Sequence, residues 1–158
     1  MGLVDATPIH WTNDDGGRYA AGYKTSVGDC AARAIAIALE KPYQEVYDAL
    51  NVFAQRERPR AGRVRSRSRD GVHRQTVRRY LRANGWIWTP TMQIGSGCKV
   101  HLRRDQLPSG RIIVALSKHF AAVIDGVIHD THDCSRDGTR CVYGYWSAPS
   151  SRDVEVIP

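Results

Sequence analysis

The stretch "HFAAVIDGVIHDT", residues 119–131, decides how this chain folds, because it holds two apolar runs on either side of Asp125-Gly126. An Asp-Gly pair between two such runs is among the strongest short-range signals for a β-hairpin. The two-residue turn pairs Ile124 with Val127 and fixes the register of both strands. The sequence therefore predicts an antiparallel hairpin here.

The register of this hairpin places two polar side chains close together. Counting outward from the turn, Ala122 lies opposite His129. Side chains alternate between the two faces of a sheet, so His119 and Asp130 project from the same face. As diagonal neighbours they lie about 7–8 Å apart at the backbone, within reach of an imidazole. The small side chain of Ala121 leaves room between them.

Helical patterns fill the first half of the chain and extended patterns the second. Apolar residues recur at helical spacing over 29–40, 42–51 and 72–83, whereas short β-type runs follow Gly85. Helices that precede strands in this way are typical of an α+β fold. We expect a single domain over residues 1–158, with N-terminal helices packed on a C-terminal antiparallel β-sheet.

A cysteine opens the first of these helices, in "GDCAARAIAIAL", residues 28–39, directly after the expected N-cap Asp29. A free thiol has a pKa of about 8.5, and a helix N-terminus or a nearby imidazolium stabilises its thiolate. His119 can supply the imidazole, and Asp130 can orient it. The alternative is a buried structural cysteine. We expect Cys30, His119 and Asp130 to form a catalytic triad, with the Cys30 backbone N–H facing the developing oxyanion.

The order Cys, His, Asp and the order of the helices and strands resemble the papain-like cysteine peptidase superfamily. The similarity is greatest to its minimal bacterial members, such as bacteriocin-processing and cell-wall peptidases. The blocks "GDC…RAIAIA", "KPYQEVYDAL" and "HDT" also resemble a group of phage and bacterial proteins that carries no assigned substrate, over about residues 18–146. The resemblance implies a papain-like fold, a Cys-His-Asp triad and a peptide or isopeptide substrate, without a cofactor.

One position departs from the papain-like pattern. Those peptidases place a glutamine about six residues before the cysteine as an oxyanion donor, and here Lys24 occupies that place. A lysine can donate to an oxyanion and lower the pKa of Cys30, but it can equally be a solvated surface residue. We expect a cysteine peptidase or amidohydrolase, with transamidation left open.

Basic charge is concentrated in "RERPRAGRVRSRSR", residues 56–69, which carries a net charge of +6 out of +7 for the chain. Such blocks are commonly flexible, and we expect a basic flexible loop over 56–70. Without interleaved aromatic residues it would bind phosphates or an acidic protein with little sequence preference. The contacts are expected from four arginines, namely Arg63, Arg65, Arg67 and Arg69. The alternative function is therefore a catalytically inactive papain-like module that binds nucleic acid or acidic protein.

The cysteine and histidine residues after position 97 allow two further interpretations. A zinc site could be drawn from six residues: Cys98, His101, His129, His132, Cys134 and Cys141. No C-x2-C pair is present, and strand alternation directs His129 and His132 to opposite faces, so we expect no metal. A disulfide between Cys134 and Cys141 would require export.

The cellular location can be inferred from the apolar runs and the cysteine content of the sequence. No apolar run is long enough to cross a membrane, and residues 1–11 lack the basic and apolar regions of a secretory signal. Four cysteines in a chain of this length do not form a disulfide scaffold. We therefore expect a cytoplasmic protein without membrane contact, encoded by a phage or prophage if the second resemblance holds.

Overall fold

The computed structural model describes residues 8–25 and 27–149, which fold as an α+β domain of three helices and a mixed sheet. Residues 1–7, 26 and 150–158 lie outside the described part. In chain order the elements are β1 (His10–Asn13), α1 (Cys30–Leu39), α2 (Tyr43–Ala54), α3 (Arg74–Ala83), β2 (Ile87–Pro90), β3 (Val100–His101), a short 3-10 helix (Arg104–Gln106), β4 (Arg111–Leu116), β5 (His119–Ile124), β6 (Val127–Asp130), β7 (Cys141–Val142) and β8 (Gly144–Ser147).

The helices lie where the apolar spacing predicts them. Alanine and isoleucine fill α1, and every residue from Ala31 to Ala38 is buried. Glu40, at a φ of 55°, ends α1 in the left-handed conformation, and its N–H reaches the carbonyls of the last turn. Pro42 then precedes α2, which buries one face only. The burial of α1 on all sides identifies it as the central helix.

The predicted hairpin is confirmed as β5–β6. Ile124 pairs with Val127 and Ala122 with His129, in the register that the Asp125-Gly126 turn dictates. Asp125 adopts a φ of 48° and Gly126 a φ of 76°, the positive values that a type I′ turn requires at both central positions. This turn chemistry positions the strand ends that carry the candidate site.

The expectation of a purely antiparallel sheet is wrong in one respect. The main sheet has the order β1-β6-β5-β4-β8-β2, and β1 pairs in parallel with β6. All four residues of β1 are exposed, so the segment lacks the alternation of apolar and polar residues that marks a strand. The sheet is therefore mixed, with an N-terminal strand at one edge.

The sheet separates two apolar layers. One face of β4 and β5, with Ile113 and Ala122, packs against the three helices. The opposite face, with Val114 and Val123, forms a second cluster that also contains Leu102. This alternation follows the period of two of a β-strand and leaves both central strands buried on each side. Among the described residues, no helix has the length and apolarity needed to cross a lipid bilayer.

A disulfide joins Cys98 to Cys141, with the two Cα atoms 5.9 Å apart. The alternative pairing of Cys141 with Cys134 is therefore wrong. The short β3–β7 ladder pairs His101 with Cys141 and brings the preceding loop close enough for a bond. Disulfides persist in oxidising compartments and are rare in the cytosol. The cytoplasmic location stays a prediction.

Candidate active site

The Cys30 thiol is the first side chain of α1 and lies beside His119, the first residue of β5. Burial raises the pKa of the thiol, but a hydrogen bond from His119 and its positive charge lower it, helped by the Phe120 backbone and by Arg33. The net result is a thiol pKa below its ordinary value. The helix N-terminus acts in the same direction. The thiolate form of Cys30 is therefore more accessible than that of an ordinary thiol.

The imidazole of His119 is held between this thiol and a carboxylate. Its Nε2 lies 2.6 Å from Asp130 Oδ2, and both side chains are largely buried. Burial lowers the pKa of His119, yet the hydrogen bonds to Asp130, Cys134 and Cys30 raise it to about 11. Because Nε2 is engaged by Asp130, Nδ1 remains for the thiol. The arrangement therefore favours the imidazolium form of His119 at neutral pH, beside a thiol whose pKa is lowered.

Asp130 is an ionised carboxylate in this arrangement. Burial raises its pKa, but the hydrogen bond and charge of His119 lower it, as do the Thr131 backbone N–H and the charge of Arg33. The Thr131 N–H donates to Asp130 Oδ1 at 2.7 Å, so the two carboxylate oxygens have different partners. The geometry thus brings the three predicted residues together in the order Cys30, His119, Asp130.

Arg33 supports this carboxylate and was not singled out in the sequence. Its Nη1 donates to Asp130 Oδ1 at 2.9 Å and its Nε to Asp29 Oδ1 at 3.0 Å. The Tyr43 hydroxyl donates to the other oxygen of Asp29 at 2.7 Å. The available signal was an arginine inside an apolar helix, four residues after Asp29. Such an arginine is buried only when it is paired.

Asp29 was expected to cap the N-terminus of α1 with its side chain, and the structure shows that it does not. Its side chain makes no capping hydrogen bond to the first turn of α1. Both carboxylate oxygens turn instead toward Arg33 and Tyr43, where Asp29 is fully buried. The N–H groups of the first turn have no partner within the helix itself. They remain available as donors beside Cys30.

A second thiol contacts the same imidazole. Cys134 is free and almost fully buried, and it lies close enough to His119 to raise the pKa of the imidazole. The sequence pattern drew attention to Cys134 only as a zinc ligand or a disulfide partner. Its place in the loop after β6 brings it to the ring by tertiary folding, which local spacing does not reveal.

The thiol opens into a cavity of about 1120 Å³ that the basic segment also lines. This basic segment, residues 56–70, follows α2 and leads into α3. Cys30 and His119 contribute to the lining together with Phe120. The segment contributes five arginines to it, namely Arg56, Arg58, Arg60, Arg63 and Arg65. The predicted catalytic and basic regions thus share one cavity.

Side-chain hydrogen bonds hold the basic segment against the helices. Ser66 and Ser68 are buried, and the N–H of Ser68 donates to Asn51 Oδ1 at 2.8 Å. The Ser68 hydroxyl donates to the carbonyl of Tyr47, and the N–H of Ser66 donates to Glu57 Oε1 at 2.8 Å. The buried serines leave the intervening arginines exposed.

The four arginines predicted to contact an anion separate into two pairs. Arg63 and Arg65 line the cavity, whereas Arg67 and Arg69 lie outside its lining. The exposed Arg67 pairs with Asp70 at 3.3 Å. Of these four arginines, only Arg63 and Arg65 therefore face the cavity that holds the thiol.

Lys24, the expected oxyanion donor, is exposed and lies outside the cavity lining in the described part of the chain. The structure thus does not bring it together with Cys30 and His119. The turn over residues 14–22 precedes it, where Asp14 and Asp15 accept hydrogen bonds from backbone N–H groups. Lys24 was selected only because it lies six residues before Cys30. That spacing does not determine whether its side chain faces the cavity.

A metal ion could be held by three of the residues at this site. One donor atom each from His119, Asp130 and His132 lies within 4.8 Å of the others. Three of the predicted zinc candidates are engaged elsewhere, because Cys98 and Cys141 form a disulfide and His129 Nδ1 pairs with Asp14 Oδ2 at 3.2 Å. A cation here would compete with the hydrogen bond between His119 and Asp130.

No family model, no curated protein and no solved structure matches this chain. The functional interpretation consequently depends on the geometry around Cys30 and on the chemistry of its cavity.

Proposed function

We propose that this protein is a thiol-dependent acyl-transfer enzyme, a cysteine peptidase or amidohydrolase with a papain-like arrangement of its active site. The observation that carries the proposal is the placement of Cys30 beside His119, whose ring is hydrogen-bonded to Asp130, at the wall of an open cavity. A nucleophile, a base in contact with it and a third group that orients the base are the components that covalent acyl transfer requires.

The reaction begins with attack of the Cys30 thiolate on a substrate carbonyl carbon. A sulfur–carbon bond forms, and the carbonyl π electrons move to oxygen. Collapse of this intermediate breaks the bond to the leaving amine, which takes the proton from the His119 imidazolium and leaves an acyl-enzyme. His119 then accepts a proton from water as the water attacks, and sulfur leaves as the thiolate. Asp130 keeps Nδ1 of the ring directed at the reacting atoms.

The backbone at the start of α1 supplies the donors for the oxyanion. The N–H groups of the first helical turn are not used by the helix, and Asp29 does not cap them. Fixed N–H dipoles beside a nucleophile stabilise negative charge as it develops on oxygen. With Lys24 outside the cavity lining, the oxyanion is assigned to the Cys30 N–H.

The proposal is tested with p-nitrophenyl acetate, because this ester needs no recognition beyond the thiol. We expect intact-mass spectrometry to show one acetyl group on the wild-type chain and none on Cys30→Ala. His119→Ala should acylate far more slowly. The matched control Lys24→Ala should acylate at the wild-type rate, and EDTA should change neither rate. Equal acylation of wild type and His119→Ala would contradict the proposal.

The fate of the acyl group separates hydrolysis from transamidation. Continued release of p-nitrophenolate after the first equivalent indicates that water is the acceptor. Addition of glycine ethyl ester diverts the acetyl group to an amide if an amine can enter the cavity. The sequence left both outcomes open, and this measurement assigns one of them.

The alternative function is a catalytically inactive binding module, and the exposed arginines of the basic segment favour it. In that case Cys30→Ala would leave binding unchanged, and binding would weaken steeply with salt. Gel shift with a single-stranded oligonucleotide at two salt concentrations tests this function. A shift that survives deletion of residues 56–69 would remove the segment from consideration.

A further inference from the structure

Arg33 lines the cavity and pairs with Asp29 and Asp130, whereas the arginines that the basic segment contributes to the lining have no anionic partners among the described residues. Within residues 8–25 and 27–149, salt bridges engage Arg67 of the basic segment but none of the cavity-lining arginines 58, 60, 63 and 65. Arg79 also lines the cavity, and its Nε is buried without a hydrogen-bond partner in the same described ranges. The cavity therefore presents guanidinium donors without acceptors.

The carboxylates of the lining are already occupied. Glu57 accepts hydrogen bonds from the Ser66 N–H and the Thr76 hydroxyl and lies 4.0 Å from His73 Nε2. Asp70 pairs with Arg67. Neither carboxylate is free to neutralise the guanidinium groups across the cavity. The lining consequently carries positive charge without a partner, which a negatively charged ligand would complement.

The lining also distinguishes between anionic ligands. A site for single-stranded nucleic acid needs aromatic platforms for base stacking, and Phe120 is the only Phe, Tyr or Trp in the described lining. The Cys30 thiolate reacts with acyl carbon, which peptides contain and the nucleic-acid backbone lacks. At about 1120 Å³, the cavity is at or above the upper end of the usual small-molecule range. These features favour an acidic polypeptide.

We infer that the substrate is an acidic polypeptide, with Asp or Glu residues flanking the carbonyl that Cys30 attacks and paired with the cavity-lining arginines. This inference rests on the proposed function and specifies its substrate class. Arginine forms bidentate pairs with carboxylates, so several such pairs would fix the register of an extended chain across the thiol. The hydrogen bonds of Ser66 and Ser68 fix the basic segment, and with it the cavity-lining arginines, against the helices.

The test uses epoxysuccinyl probes, which alkylate cysteine and carry peptide on both sides of the reactive group. One probe has short runs of Glu on both sides, and its partner has Gln at the same positions. We expect Cys30 to react with the Glu probe about tenfold faster or more at low salt, since a complementary charge accelerates encounter. The preference should decrease as salt screens the charges.

Two arginine variants separate the cavity wall from general basic charge. Combined substitution of the four residues Arg58→Gln, Arg60→Gln, Arg63→Gln and Arg65→Gln should abolish the preference. The matched control Arg67→Gln/Arg69→Gln, outside the cavity lining, should retain it. Neutral iodoacetamide should alkylate Cys30 equally in all three proteins, which shows that the fold and the thiol are intact.

The outcomes distinguish this inference from the proposed function. Equal rates for the Glu and Gln probes, together with normal acetyl-enzyme formation, would overturn the acidic substrate and leave the acyl-transfer proposal standing. Loss of acetyl-enzyme formation would overturn the function itself. Stronger competition with the Glu probe by an oligonucleotide than by poly-glutamate would also overturn the inference, in favour of nucleic acid.

Discussion

Two opposing effects set the pKa of the Cys30 thiol. Burial favours its neutral form, while the hydrogen bond and charge of His119 favour the thiolate and prevail. His119 in turn owes its raised pKa chiefly to Asp130. The reactivity of the Cys30 sulfur thus depends on three residues. Asp130 keeps His119 protonated, and protonated His119 lowers the pKa of Cys30.

Replacing His119 with alanine should raise the pKa of Cys30. Burial would still raise this pKa, but the hydrogen bond and charge of His119 that lower it would be gone. Below the thiol pKa, each unit of increase lowers the thiolate fraction about tenfold. We expect iodoacetamide to alkylate wild-type Cys30 rapidly near pH 6 and the His119→Ala protein much more slowly. The two rates should converge above pH 9. A wild-type rate that follows an ordinary thiol across the pH range would contradict this picture.

Arg33 bridges two buried carboxylates, so its loss removes the closer cationic partner of Asp29 and one of the two cationic partners of Asp130. Arg33→Met should lower the free energy of unfolding by about 3–5 kcal/mol, as breaking a buried ion pair does. Arg67→Met removes a pair whose arginine is 65% exposed, and it should cost about 0–1 kcal/mol. Urea midpoints of both variants provide the measurement, and equal midpoints would show that the Arg33 network contributes little.

Among the elements, the β5–β6 hairpin was predictable in detail and the basic segment was not. The Asp125-Gly126 turn fixes its register locally, and with it the meeting of His119 and Asp130. The anchors of the basic segment are hydrogen bonds to α2, between residues far apart in sequence. Lys24 shows the same limit, since spacing from a cysteine does not determine where a loop residue points.

The start of α1 and the end of the basic segment touch at Gly28. A Cβ built on Gly28 would lie 2.8 Å from the carbonyl oxygen of Asp70, closer than real contacts permit. Gly28→Ala should therefore displace the segment and cost about 1–3 kcal/mol. We expect faster trypsin cleavage within residues 56–69 and unchanged cleavage at Arg103 or Arg104. An unchanged cleavage pattern would show that the contact is not needed.

At the scale of the molecule, the α+β class followed from the order of helical and extended patterns. The parallel strand β1 did not, because its four exposed residues carry no alternation and its partner lies more than a hundred positions away. The Cys98–Cys141 bond was missed for a related reason, since it depends on the two-residue strands β3 and β7. Pairings between distant short segments leave little trace in local sequence.

The Cys98–Cys141 disulfide closes a loop with a sequence separation of 43. By the chain-entropy relation such a loop adds about 4 kcal/mol to the free energy of unfolding. Dithiothreitol should lower the urea midpoint of the wild-type protein. It should not change that of the double variant Cys98→Ser/Cys141→Ser. A wild-type midpoint insensitive to reductant would show that the bond is absent in solution or contributes no stability.

The pairing of β1 with β6 has a consequence for biogenesis. Trp11 Nε1 donates to the Asp130 carbonyl at 3.1 Å, and the Asp14 N–H donates to the same oxygen at 2.9 Å. Because β1 and β6 are more than a hundred residues apart, β1 can dock only after β6 has been synthesised. The backbone hydrogen bonds to Asp130 therefore form only after β6 has been made, so the candidate site cannot be complete on a nascent polypeptide that still lacks this strand.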